Sequence, residues 1–177
     1  MDIKVLIPAI DMEATYKTVK QLKFRAGIEA QYFILPGNIP FIEKVNAFVR
    51  QFPADYYVYT ATDAFAGRNW LKIAYEELEA TGKSVFAFND GKWGGRLAAF
   101  GMVRASYMSP FFFDGYKDHY ADVELTLRAN IEGELACNLE AILMEVDYDK
   151  DTKSVNQADR DLFMKRQEEI YNVKEWY

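Results

Sequence analysis

Three aspartates stand where an α/β chain presents its ligand-facing groups. Asp11 follows the apolar run Ile3 to Ile7, Asp63 follows Tyr56 to Thr60, and Asp122 opens the segment from Ala121 to Ile131. In open α/β sheets ligands bind outside the carboxyl ends of the strands, so an acid just past a strand or at a helix start borders that crevice. A carboxylate there is a hard oxygen ligand for Mg²⁺ or Mn²⁺, ions that bridge a diphosphate. It is equally the ordinary residue of a turn or a helix cap. In HYADVELTLRA, Asp122 and Glu124 lie two apart, a spacing that sends two helical side chains in different directions. Either acid suits the first turn, where the helix dipole favours negative charge. The chain's one histidine, His119, is close by as a partner or as an exposed residue. In the loop NDGKWGG, Trp93 is followed by Gly94 and Gly95: an aromatic that covers a ligand ring, or one tucked on the sheet edge.

The elements that must position these residues follow from periodicity. Ile3 to Ile7 is a β-branched run that ends at Pro8, and Asp11 can cap a helix with Thr15, Val19 and Leu22 on one face. Gln31 to Leu35 is a second strand, stopped by Pro36-Gly37. Pro40 suits a helical first turn, with Ile42, Val45, Val49 and Phe52 as one stripe. After the strand Tyr56 to Thr60, TATDAFAG reads as a turn. A helix containing Trp70, Leu71, Ala74 and Leu78 follows and stops near Gly82. Ser84 to Phe88 and Leu97 to Val103 read as strands, Ala121 to Ile131 as a helix, and Leu139 to Val146 as a long strand. The chain closes on a helix at about 156–171. This alternation predicts one three-layer α/β domain over residues 1–177 with a mostly parallel central sheet.

Composition narrows the function. The 177 residues carry a net charge of −6, which argues against a surface built for nucleic acid, since phosphate neutralisation needs clustered Lys and Arg. A nucleotide held through a metal ion stays compatible with that charge. One cysteine, Cys137, excludes an intramolecular disulfide and a four-cysteine zinc site. The start MDIKVLIPAID lacks the basic and long apolar regions of a secretory signal, and no apolar run reaches membrane-helix length, so a cytoplasmic protein is expected. The 12 Tyr and 13 Phe are mostly core material, with exposed Tyr and Trp able to stack on sugar rings.

Taken in order, these segments resemble the GT-A glycosyltransferases, in particular the large inverting family 2, over roughly Ile3 to Arg166. IKVLIPAID is similar to that family's first strand and its Pro-x-x-Asn border of the nucleotide pocket. DYYVYTATDAFAGRNWL resembles the strand, metal-binding aspartate and Trp-Leu turn. FFFDGYKDHYADVELTLRANIEG resembles the Gly-Phe-Asp-Glu, Glu-Asp-x-Asp-Leu-x-x-Arg-Ala and Gly sequence, and DRDLFMKRQ resembles the tail helix. The resemblance implies a GT-A (Rossmann-like) fold that moves a sugar from a nucleotide-sugar donor to an acceptor hydroxyl with inversion. It implies donor contacts at Pro8, Ala9, Asp11, Asn38 and Asp63, and a divalent metal, Mn²⁺ or Mg²⁺, on Asp63 with Asp147. It implies Asp122 as the general base, with Trp93, Gly94, Gly95 and Glu124 on the sugar or acceptor side. The sequence departs from the family at Thr62-Asp63-Ala64, which holds one acid where two are usual, and at Ala121, where the family has Glu. Those departures leave a binding module without turnover as the alternative. A nucleotidyltransferase fits less well, because PAIDMEATYK is no basic glycine-rich loop.

Overall fold

The structure, a computed structural model, describes residues 1–9, 11–107, 111–146 and 155–174. Asp147, with Asp149 beside it, lies outside the described residues. Among the described residues, seven strands form one sheet: β1 (Ile3–Pro8), β2 (Gln31–Leu35), β3 (Tyr56–Tyr59), β4 (Ala64–Ala66), β5 (Val85–Asn89), β6 (Gly101–Arg104) and β7 (Leu135–Glu145). Five helices within the described residues connect and cover them: α1 (Met12–Arg25), α2 (Phe41–Gln51), α3 (Trp70–Thr81), α4 (Ala121–Ile131) and α5 (Gln157–Glu169). The strand order is β2-β1-β3-β6-β5-β7-β4. β2, β1 and β3 run parallel, as do β5 and β7, and β6 lies antiparallel between those two groups. With β4 antiparallel on the edge beside β7, five of the seven strands point one way.

The period-2 alternation of each central strand divides the core in two. Val5 and Ile7 join Leu22 of α1 and Trp70, Leu71, Ala74 and Leu78 of α3 on one face. Leu6, Tyr57 and Tyr59 join Ile42, Val45 and Val49 of α2, Leu125 and Leu127 of α4 and Phe163 of α5 on the other. A strand buried on both sides is largely apolar on both, so IKVLIP does not alternate. Its one polar residue, Lys4, is satisfied because its ammonium donates to Asp2 and to the Pro53 carbonyl. Asp11 caps α1 by accepting the N–H groups of Glu13 and Ala14, and Gly82 ends α3 in the left-handed conformation with φ +68°. Phe52 leaves the expected stripe and is 48% exposed.

Three elements differ from the expectation. β7 begins at Leu135 rather than Leu139, where its pairing with Val85 of β5 starts. The TATDAFAG turn contains β4, a short edge strand whose Ala64 and Ala66 pair with Glu145 and Leu143. The strand expected from Leu97 starts only at Gly101, because side chains take the backbone partners of Ala98. Its N–H donates to Thr126 Oγ1 at 3.0 Å, and its carbonyl accepts the Tyr59 hydroxyl. Gly101 is required where it stands, since an added Cβ would lie 2.5 Å from the Tyr59 hydroxyl oxygen.

Candidate active site

The carboxyl end of β3 opens onto a cavity of about 480 Å³. Thr60 and Ala61 form its floor just past β3, where the Thr60 N–H donates to the Leu6 carbonyl at 3.2 Å. Phe41 closes one side from the start of α2, and Trp93 closes another from the loop after β5. Opposite stand His119, Asp122 and Val123 at the start of α4, with Glu145 at the end of β7. The Thr60 hydroxyl is buried and has no hydrogen-bond partner among the described residues.

Asp122 is half-buried in the first turn of α4, and its negative charge adds to the burial that raises the Tyr59 hydroxyl well above its usual range. Its backbone carbonyl accepts the Thr126 hydroxyl at 2.6 Å. Thr126 therefore ties the Asp122 turn to Ala98 and through it to Tyr59 of β3.

The turn into α4 is built by α5. Asp159, 2% exposed, accepts the N–H groups of Lys117, Asp118 and His119 at 3.0, 2.8 and 2.9 Å. Burial alone would raise its carboxyl, but the three backbone donors outweigh that and hold it below the usual aspartate range. The next residue, Tyr120, takes a left-handed backbone with φ +69°, an uncommon state for an aromatic residue. Its ring stacks on Phe163 of α5 at 5.1 Å and 24°. Strain of this kind persists only where the surroundings over-determine it, and here α5 does so from two sides.

Glu124 does not line the cavity, which corrects its assignment to the acceptor side. It is 2% exposed, and its carboxylate accepts Arg166 Nε and Nη2 at 2.8 and 2.7 Å, Tyr116 Oη at 2.5 Å and Tyr171 Oη at 2.9 Å. The two acids of HYADVELTLRA thus diverge as helical spacing requires: Asp122 to the cavity, Glu124 to the core.

The loop carrying Trp93 is held firmly. Asp90 Oδ1 accepts the N–H groups of Lys92, Trp93 and Gly94 at 3.1, 2.7 and 3.2 Å. Gly95 presses against β7, where an added Cβ would meet Cys137 Cβ at 2.6 Å. Among the described lining residues, the structure gathers Asp122, Trp93 and His119 but not Pro8, Ala9, Asp11, Asn38, Asp63, Gly94 or Gly95. Asp11 spends its carboxylate on the α1 cap, and Asn38 is exposed beyond β2. Ala9 is buried, and its carbonyl accepts Lys44 Nζ at 3.3 Å. Asp63 sits in the turn before β4, its carbonyl accepting the Val146 N–H at 3.1 Å. That pairing brings it next to Glu145, a cavity residue that sequence reasoning passed over as the end of a strand. Asp159 was passed over too, since an acid in a first helical turn carries no sign of what it reaches.

Side-chain donors of Asp118, His119 and Asp159 lie within 4.8 Å of one another. They fit a cation poorly. Both Asp159 oxygens already accept backbone N–H groups, and Asp118 accepts the Asn156 amide at 3.0 Å.

This sheet order, with helices on both faces and the cavity at the strand ends, is the fold of the GT-A glycosyltransferases. No family model and no curated protein matches the sequence. Among solved structures, it is similar to glucosyl-3-phosphoglycerate synthase from Mycobacterium tuberculosis, crystallised with Mn²⁺, UDP-glucose and phosphoglyceric acid. That likeness has a TM-score of 0.69 at 10% identity and covers 93% of this chain and 79% of that one. It is also similar to S. aureus TarS 1–349 in complex with UDP-GlcNAc, with a TM-score of 0.65 at 12% identity over 99% of this chain and 68% of that one. The mannosyltransferase PcManGT from Pyrobaculum calidifontis, in complex with GDP-Man and Mn²⁺, gives 0.63 at 9% identity over 81% of this chain. The chain spans 56% of that enzyme's length.

Proposed function

We propose that the protein is a metal-dependent inverting glycosyltransferase that moves a hexose or pentose from a nucleotide sugar to an acceptor hydroxyl. The observation that carries this reading is the placement of Asp122 in the wall of the cavity at the carboxyl edge of the sheet. The GT-A fold and the nucleotide sugars bound by its structural neighbours support it. In this reading the acceptor lies in the cavity with its hydroxyl against Asp122. The carboxylate takes the hydroxyl proton while the oxygen attacks the anomeric carbon, and the bond to the diphosphate breaks on the opposite face. A single displacement of this kind inverts the anomeric centre. A carboxylate is a weak base, so positioning must supply much of the rate, and the Thr126 and Asp159 tethers are the devices available for it.

Asp63 and the adjacent Glu145 offer hard oxygen donors suited to Mn²⁺ or Mg²⁺, and Asp63 is the residue we assign to the metal, with Asp147 as a further donor. Such an ion would neutralise charge developing on the leaving diphosphate. Pro8, Ala9 and Asn38, at or beyond the carboxyl ends of β1 and β2, would border the nucleotide, with Asp11 at the head of α1. A thermal-shift screen of nucleotide sugars with and without Mn²⁺ tests the reading. A metal-dependent rise in midpoint with one donor is expected, because a ligand of the folded state stabilises it by mass action. Binding with no turnover of any acceptor would favour a transfer-inactive module, the reading to which the lone acid of Thr62-Asp63-Ala64 points.

A further inference from the structure

A second groove, of about 520 Å³, lies on the far side of Trp93 from the catalytic cavity. Its walls are Trp93, Arg96, Leu97, Asn130, Leu135 and Cys137, and both Trp93 and Leu97 also line the first cavity. The two spaces therefore share a wall, and that wall is rigid because Asp90 holds three consecutive N–H groups of its loop.

The charge of the two spaces differs. The catalytic cavity carries three acids, Asp118, Asp122 and Glu145, against one lysine, Lys92, and the chain as a whole is acidic at −6. Among the described residues, the groove holds no acid, and its one charged side chain is Arg96. Arg96 Nε donates to the Trp93 carbonyl at 3.1 Å, which fixes the root of the guanidinium. Its two terminal nitrogens bond to no described residue. A planar cation with free donors, an amide from Asn130 and an indole face form a set that takes an anionic group attached to a polar ring or chain.

We propose that this groove binds a phosphate- or carboxylate-bearing part of the acceptor, so that the substrate class is an anionic sugar or polyol reaching past Trp93 toward Asp122. The assignment to an acceptor rests on the glycosyltransferase reading; the anion site itself does not.

Cys137, the single cysteine, is exposed in the groove wall and reports occupancy through its alkylation by neutral iodoacetamide. Glucose 6-phosphate and glycerol 3-phosphate should slow that alkylation, whereas glucose and glycerol at equal concentration should not. Arg96→Ala should weaken the protection about tenfold, the scale of a lost hydrogen bond to a charged group. Arg96→Lys, which keeps the cation, should retain part of it. Equal protection by charged and neutral compounds, no protection by either, or protection untouched by Arg96→Ala would overturn the proposal. Calorimetry of UDP and GDP with Mn²⁺ on the same protein separates the two readings. Protection without nucleotide binding removes the transferase and leaves the anion groove. Nucleotide binding without protection does the reverse.

Discussion

Glu124 on α4 and Arg166 on α5 form a bidentate ion pair at 2.7 and 2.8 Å, with Glu124 almost wholly buried and the guanidinium 3.5 Å from the centre of the Phe113 ring. The pair joins the helix that carries Asp122 to the helix that shapes its entry turn. Removing one partner of a buried pair leaves an uncompensated charge, which costs about 3–5 kcal/mol. Arg166→Met should therefore lower the thermal midpoint substantially. Loss of only a degree or two in a melting curve would contradict that cost.

The same pair sets a pH dependence. Burial raises the Glu124 carboxyl, but hydrogen bonds from Arg166, Tyr116 and Tyr171 outweigh it and hold the group below the usual glutamate range. A depressed folded value means stability that is fully present above the unfolded value of about 4.3 and lost as pH falls through the folded one. Asp159 acts in the same direction. Chemical denaturation between pH 7 and 3 should show stability falling only at the acid end, and Glu124→Gln should flatten that fall.

Asp122→Asn keeps size and most hydrogen-bonding shape but cannot accept the acceptor's proton. Turnover should drop about 10²-fold or more, with donor affinity little changed. Glu124→Gln should act on stability rather than on the transfer step. An Asp122→Asn protein with full turnover would remove Asp122 from the role of base.

Asp63→Ala should abolish Mn²⁺-dependent binding of UDP or GDP in calorimetry while leaving the melting midpoint near that of the parent. Asp118→Ala and His119→Ala should leave metal-dependent binding in place, because both Asp159 oxygens are taken by backbone N–H groups and one Asp118 oxygen by Asn156. The opposite pattern would move the metal to the start of α4.

Trp93 is the indole in the cavity wall among the described residues, whereas Trp70 is buried in the core with its Nε1 donating to the Leu22 carbonyl. Ligand-induced quenching should shrink in Trp93→Phe. Equal quenching in both proteins would show that no ligand approaches this ring.

The local chemistry of the chain determined its elements. Asp11 and Gly82 bound their helices, and the apolar run of β1, interrupted only by Lys4, announced a strand buried on both faces. The divergence of Asp122 and Glu124 was legible as well, because helical spacing alone separates residues two apart. Tertiary structure decided what each acid faces. Nothing in Asn156 to Asp159 tells that this turn packs under residues 117–119, and nothing in the spacing of Leu97 to Phe100 tells that Thr126 and Tyr59 take the Ala98 backbone. Such partners lie 28 to 42 residues away in sequence. Periodicity records only which side of an element is apolar, whereas hydrogen bonds over that separation depend on how the layers close over the sheet.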